Sequence, residues 1–285
     1  MSMKARPISK VFIYALLLIG SAIFLLPLFW MLSTALKPID QTMTMPPVWI
    51  PKTPLWSNFY KAIEHMGIRD GHWIFWTYLK NSLILCALTV IGTVFSSALA
   101  AYGFSRIDWI GRNKVFLIVL ATMMIPFPVL MVPLYSLFRG LGWIGTLRPL
   151  WVGSFFAGAF NVFLLRQFFM TIPHDLSEAA RIDGCSEWRI FWQIILPLSK
   201  PALMVVGLFQ FMATWNDFLG PLIYLTDQKD YTLALGLQFY QSQHGGTEWH
   251  YLMAASTLIV LPIILLFFFA QRFFIEGISM TGLKA

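Results

Sequence analysis

With 285 residues that are 58% hydrophobic, 16% aromatic and only 12% charged, and a mean hydropathy of +0.70, the chain carries more apolar surface than a soluble core of its size can hide. A soluble globular domain is excluded, and an all-α integral membrane protein is expected. The net charge of +7 does not mark a nucleic-acid binder, because the basic residues are scattered at the ends of apolar stretches rather than gathered into a stripe.

A membrane span needs roughly 20 apolar residues to cross a hydrocarbon layer of about 30 Å. Uncharged stretches run over 11–36, 81–105, 115–138, 149–165 and 249–271, and a sixth, 201–226, is interrupted only by Asp217, so six transmembrane helices are predicted. The first follows Lys4, Arg6 and Lys10, and its 26 uncharged residues exceed the 7–15 or so of a secretory h-region, so it reads as an uncleaved signal-anchor. The loop 37–80 begins with a proline-rich stretch that forbids regular helix. It continues as NFYKAIEHM, where Phe59, Ile63 and Met66 fall at helical spacing beside Trp49, Trp56 and Tyr60, which predicts a segment lying in the interface.

In the second span, Gly92, Ser96, Ser97, Ala100, Ala101 and Gly103 suit close helix packing. Pro126, Pro128 and Pro133 must bend or unwind the third span, which is tolerable only where backbone groups face protein or a water-filled cavity, so this span is expected near a pathway. The fourth and fifth spans flank a polar island, residues 171–200. There Asp175, three before Glu178, is expected to cap a helix DLSEAARI that stops at Asp183-Gly184, since glycine accepts the left-handed conformation closing a helix. Leu176, Ala179 and Ala180 share one face of it, where two alanines leave the backbone bare for a partner. A second helix opened by Ser186 places Trp188, Phe191, Trp192 and Ile195 in one apolar stripe, and Pro197 and Pro201 break the chain after it. A helix, a glycine hinge and a second helix make a lever parallel to the membrane.

Between the fifth and sixth spans, Asp227 to Glu248 forms an outer loop with a Gly245-Gly246 turn flanked by polar and aromatic residues. With both termini on the island side, 12 of the 20 lysines and arginines fall on that side, which the positive-inside rule makes cytoplasmic. The organisation is then a cytoplasmic N-terminus (1–10), a six-span domain (11–275) containing the cytoplasmic loop 171–200, and a cytoplasmic tail (276–285). Cys86 lies in a span and Cys185 in the island, so no disulfide or metal-type spacing arises.

Polar residues inside spans mark either a solute path or interhelical hydrogen bonding. Asn161, Gln167, Gln210, Thr214 and Asn216 qualify for both by type. Asp217, an acidic residue within a span, either lines the path or caps a helix near the outer water layer.

The island resembles the cytoplasmic signature of inner-membrane permease subunits of binding-protein-dependent ABC importers. That signature is Glu-Ala-Ala, three residues, Gly, nine residues, Ile, any residue, Leu-Pro, and Glu178-Ala179-Ala180, Gly184, Ile194 and Leu196-Pro197 occupy all of its positions. AAYGFSR ending the second span, RQFFMTIP before the island, TWNDFLGPL in the fifth span and FFIEGISMTGLKA at the end extend the likeness to the carbohydrate-uptake branch, and most closely to its shorter maltose-type subunit. The tail Gly282-Leu283-Lys284-Ala285 departs from the family's usual Gly-Ala-Val-Lys-Gly.

The resemblance implies a type I ABC importer permease fold, with Glu178, Ala179, Ala180, Asp183 and Gly184 forming the joint with a cytoplasmic ATPase. It further implies Gln241, Gly245, Gly246 and Glu248 as the contact with an extracytoplasmic substrate-binding protein, and a carbohydrate as the cargo, for which the polar span residues Asn161, Gln210, Thr214, Asn216 and Asp217 are the path candidates by type. The implied partners are a second, distinct permease subunit and two ATPase copies, in the lipid of a bacterial-type inner membrane. No cofactor or metal is expected in the chain, which has no Gly-Lys dipeptide and hence no phosphate-cradling loop. ATP and Mg would belong to the ATPase, and the chain is not itself an enzyme.

Two rivals come from other classes. An ion-driven secondary transporter would need intramembrane carboxylates or an inverted repeat, and only Asp217 offers one. A metal-dependent membrane enzyme would have to use His65, His72, His244, His250 and Glu248, which lack tight ligand spacing.

Overall fold

Where water is absent, each backbone N–H and C=O must find its partner within the span, so the apolar runs fold as helices. The computed structural model describes residues 7–69, 71–241 and 246–282. In chain order its main helices are α1 (Pro7–Ala35), α2 (Ser57–His65), α3 (Ile74–Ser105), α4 (Arg112–Ala121), α5 (Phe127–Gly140), α6 (Ala159–Thr171), α7 (Asp175–Ile182), α8 (Glu187–Leu198), α9 (Lys200–Trp215), α10 (Leu219–Tyr224) and α11 (Trp249–Gly282). Among the described residues, four segments are long and apolar enough to cross a membrane, and six if α4 with α5 and α8 with α9 each count as one bent span.

The chain divides into two units. The first comprises Met1–Trp73 and Leu237–Leu261. Here α1 is exposed along most of its length and is tied down at its end, where Asn58 of α2 donates to the carbonyls of both Ala35 and Lys37 at 2.9 Å. Those carbonyls lack helical partners, and an amide with two N–H groups satisfies both. The inward face of α2 is therefore Asn58, Ala62 and Met66, one residue out of step with the expected Phe59 and Ile63, which are half-buried. The hydrogen-bonded docking to the end of α1 decides its rotation. A hairpin of β1 (Ile68–Arg69) and β2 (His72–Trp73) follows, paired antiparallel with Ile68 opposite Trp73.

The second unit comprises Ile74–Gly236 and Pro262–Ala285, and α3 is its spine, packing on α6 and α9. The small residues permit this: Ser97 and Ala101 are fully buried, and a Cβ at Gly92 would lie 2.6 Å from the Phe155 ring. Ser96 donates to the Ser154 carbonyl and accepts from the Ala157 amide, both at 3.1 Å. Gly103 has open space around it and plays no such part.

The prolines of the third span act as expected. Pro126 holds an extended conformation between α4 and α5, which turn 95° against each other, and Pro133 is carried inside α5. No residue of α5 is buried within the chain. The fourth span runs from a short helix at Arg148–Trp151 through a 3-10 stretch at Val152–Phe156 into α6.

Candidate functional site

The island is the local structure that the signature residues build. Helix α7 ends in a left-handed Gly184 with φ of +79°. The Gly184 amide bonds to the Arg181 carbonyl at 3.0 Å and the Cys185 amide to the Ala180 carbonyl at 2.9 Å, the paired closure that satisfies the last turn's carbonyls. The start differs from expectation. His174 is the N-cap residue, no side chain caps the helix, and Asp175 stands in the first turn, where with Glu178 its charge complements the helix dipole.

The two alanines part company. Ala179 is exposed, whereas Ala180 is only 7% exposed and belongs to the apolar cluster with Phe169, Ile172 and Ile190. Ala180 is therefore not available as a bare docking surface, which corrects the expectation that both alanines present one face. Successive residues on a helix point about 100° apart. The cluster takes Ser177 and Ala180, leaving Leu176, Glu178, Ala179, Ile182 and Asp183 outward, with Ile182 86% exposed.

The stripe expected on α8 divides in the same way. Phe191 and Ile195 are buried with Ile190, while Trp188 and Trp192 are exposed. Trp188 and Trp192, four apart, share the outer face, and Phe191 and Ile195, also four apart, share the inner one; a π-helical turn runs over Phe191–Ile195. Ser186 caps α8 by accepting from the Arg189 amide at 3.4 Å, and the chain bends 79° between α8 and α9 around Ser199.

Three side chains that the sequence did not single out hold the lever. Arg181 Nε contacts Glu187 Oε1 at 2.6 Å, and the Tyr102 hydroxyl donates to Glu187 Oε2 at 2.5 Å, tying α7, α8 and the end of α3 together. Arg181 holds the Glu187 carboxyl below its ordinary 4.5, helped by Tyr102, and the same bond raises the Arg181 guanidinium. The available signal was charge: a tyrosine at a span's end facing a carboxylate flanked by arginine.

The proposed path residues do not converge. Gln210 donates to Thr214 at 3.0 Å, the Thr214 and Thr89 hydroxyls lie 2.9 Å apart, and Thr89 donates to the Cys86 carbonyl at 3.2 Å, a chain that joins α9 to α3. Asn216 donates to the Met212 carbonyl at 2.8 Å at the end of α9. Asp217 accepts from the Gly220 amide at 3.0 Å, capping α10, and a Cβ on Gly220 would meet its carboxylate at 2.5 Å. Asn161 is half-buried and Gln167 exposed on α6. Among the described residues no hydrogen bond joins Asn161, Asn216 or Asp217 to the α3–α9 chain.

In the outer loop Gln241 and Gly246 are exposed, Gly246 with φ of +145°, and Glu248 lies 3.5 Å from His250. Gly245 and His244 lie outside the described residues. His65 packs against the rings of Tyr240 and Tyr251, both at 5.5 Å, and no metal-type cluster occurs among the described residues.

Comparison with known proteins agrees with this geometry. Residues 92–280 match the family described as binding-protein-dependent transport system inner membrane component. The arabinooligosaccharides transport system permease protein AraQ of Bacillus subtilis is 34% identical over 93% of this chain and 92% of its own length. The trehalose/maltose transport system permease protein MalG of Thermococcus litoralis is 32% identical over 94% and 96%. The sn-glycerol-3-phosphate transport system permease protein UgpE of Yersinia enterocolitica is 32% identical over 94% and 95%. A chain from the crystal structure of a bacterial ABC transporter involved in the import of the acidic polysaccharide alginate shares the fold, with a TM-score of 0.80 at 22% identity over 96% of this chain and 99% of that one. The chain therefore belongs to the family of binding-protein-dependent transport system inner membrane components.

Proposed function

We propose that the chain is one of two distinct permease subunits that together form the passage of an ATP-driven importer, and that its cargo is a carbohydrate handed over by an extracytoplasmic binding protein. Two copies of a cytoplasmic ATPase supply the work with ATP and Mg, while the permease itself performs no chemistry. The cargo class rests on relatives named for arabinooligosaccharides and for trehalose and maltose, and the relative named for sn-glycerol-3-phosphate keeps a phosphate ester as a second candidate.

The observation that carries the reading is α7. Its outward face of Glu178, Ala179, Ile182 and Asp183 is exposed, its end is closed at Gly184, and its inward face is locked into the second unit's core. A short, rigid, outward-facing helix transmits a push from the ATPase to α3, α8 and α9, which supports alternating access. Both termini and residues 171–200 lie on the cytoplasmic side in this reading. The outer loop with Gln241, Gly245, Gly246 and Glu248 meets the binding protein. The exposed α7 face matters more here than Ala180, which packs inward.

The test is cysteine crosslinking from position 179 of the full chain, with Cys86 and Cys185 replaced by serine, in membranes containing the copurifying subunits. Capture of an ATPase subunit, together with ATP-dependent sugar uptake into proteoliposomes, is the expected result. Uptake that follows a proton or sodium gradient with no ATPase captured would overturn it.

A further inference from the structure

At the island end of α3 lies a buried arginine with no part in the Arg181–Glu187–Tyr102 clasp. Arg106, the residue that follows α3, is only 5% exposed, and its Nη2 donates to the Ile172 carbonyl at 2.7 Å. Its Nε and Nη1 are buried and find no acceptor among the described residues. A guanidinium removed from water and left short of partners is costly, so a site that keeps one has a use for it.

Arg106 lines a pocket of about 490 Å³ shared with Arg112, Arg166, Arg181 and His174. Three carboxylates face the same space. Asp108 is held by Arg112 at 2.7 Å and Glu187 by Arg181 at 2.6 Å, while the Glu178 carboxylate acts on Arg181 through its charge. Arg166 donates Nε to the Phe104 carbonyl at 3.1 Å and lies 4.3 Å over the Phe116 ring. Setting the ion pairs aside leaves Arg106, Arg166, His174 and Glu178 in the lining. The pocket opens where the span Ile74–Ser105 ends, the depth at which lipid headgroups sit.

We propose that this pocket binds a phosphate ester carrying free hydroxyl groups, with Arg166 on the phosphate, the buried Arg106 adding its charge from behind the wall, and the neighbouring carboxylates accepting from the hydroxyls. Two sources share that chemistry, the headgroup of phosphatidylglycerol and a soluble glycerol or sugar phosphate. Guanidinium groups supply the charge-assisted donors that phosphate oxygens need. A phosphodiester with no hydroxyl would leave Asp108 and Glu178 as unfavourable neighbours, which is why the lining selects for the hydroxylated head rather than any anion.

The full-length protein, copurified with its partner subunits, is melted in phosphatidylcholine nanodiscs while tryptophan fluorescence is followed. In one arm phosphatidylglycerol replaces part of the phosphatidylcholine, and in the other glycerol 3-phosphate is added to the solution. A saturable rise in Tm in the first arm alone assigns the site to a lipid, and a saturable rise in the second assigns it to a soluble ester. Arg166→Gln, whose side chain lies only partly within the core, should raise the half-saturating concentration about tenfold. Lys114→Gln, an exposed cation outside the pocket, should leave it unchanged, and Arg106→Gln should abolish the shift where the variant folds. No rise in either arm, or an equal rise in wild type and Arg166→Gln, overturns the proposal, since the latter would be bulk attraction between a basic surface and an anionic one.

Discussion

The two helices of the island share one strand of chain and behave oppositely. Helix α8 buries Ile190, Phe191 and Ile195 in the second unit's core and is pinned to Tyr102 through Glu187, whereas α7 buries only Ser177 and Ala180 and turns the rest of its surface outward. The difference separates an anchor from a presenting face. A lever needs both, because force applied to an unanchored helix would melt it rather than move the bundle.

The largest break in this contrast should come from Ala180→Trp. It drives a large ring into the packed cluster, at a cost of about 1–3 kcal/mol or more, and should lower the Tm and the yield of folded protein. A protein of wild-type Tm would show that α7 can lift off the core without penalty. Next is Gly184→Val. A β-branched residue at φ of +79° costs about 1–2 kcal/mol, and the expected outcome is inserted, assembled protein in which ATP hydrolysis continues while uptake falls. Coupled uptake at the wild-type rate would remove the hinge from the mechanism.

A smaller effect is tied to pH. The folded-state pKa of Glu187 is depressed by Arg181, so the stability it contributes is present above its ordinary 4.5 and is lost as the pH falls through the lower folded value. Both side chains are about half exposed to solvent, so the contribution is under about 1 kcal/mol. Hydrogen exchange of the α7 and α8 amides should therefore stay flat from neutral pH to 4.5 after correction for intrinsic rates, and rise below it. In Glu187→Gln that acid step should disappear. The smallest effect on stability belongs to Ala179→Trp. On the exposed face it should change stability by no more than the ~0.5 kcal/mol typical of surface changes, yet abolish copurification of the ATPase by steric block. Undiminished copurification would move the joint to another face of the island.

Much of this was legible in advance where the cause is local. Gly184 ends α7 because a left-handed backbone is a property of one residue, Ser186 caps α8 by reaching its own next turn, and Pro126 breaks the third span because it lacks an N–H. The failures share a different cause. Ala179 and Ala180 look equivalent in sequence, and only Phe169, Ile172 and Ile190, brought in from other elements, decide which of them is covered. The stripe through Trp188 and Ile195 divided because Phe191 and Ile195 meet the core contributed by other elements while Trp188 and Trp192 stay outside it. Arg106 counted in the sequence as one more charge on the island side, and folding made it a buried guanidinium beside three others.

Thr214 and Gln210 were open between a solute path and a structural role. Their bonds to each other and to Thr89 depend on α3 and α9 lying side by side, a contact between residues 125 positions apart. Asp217, by contrast, takes its bond locally, from the Gly220 amide three residues on. By itself the sequence determined the membrane class, the six apolar spans, the breaks at proline and glycine and the family signature, because each follows from the composition or the dihedral limits of neighbouring residues. The tertiary structure alone decided which side of each helix is inside, since that depends on close packing between spans brought together from distant parts of the chain, where no local rule applies.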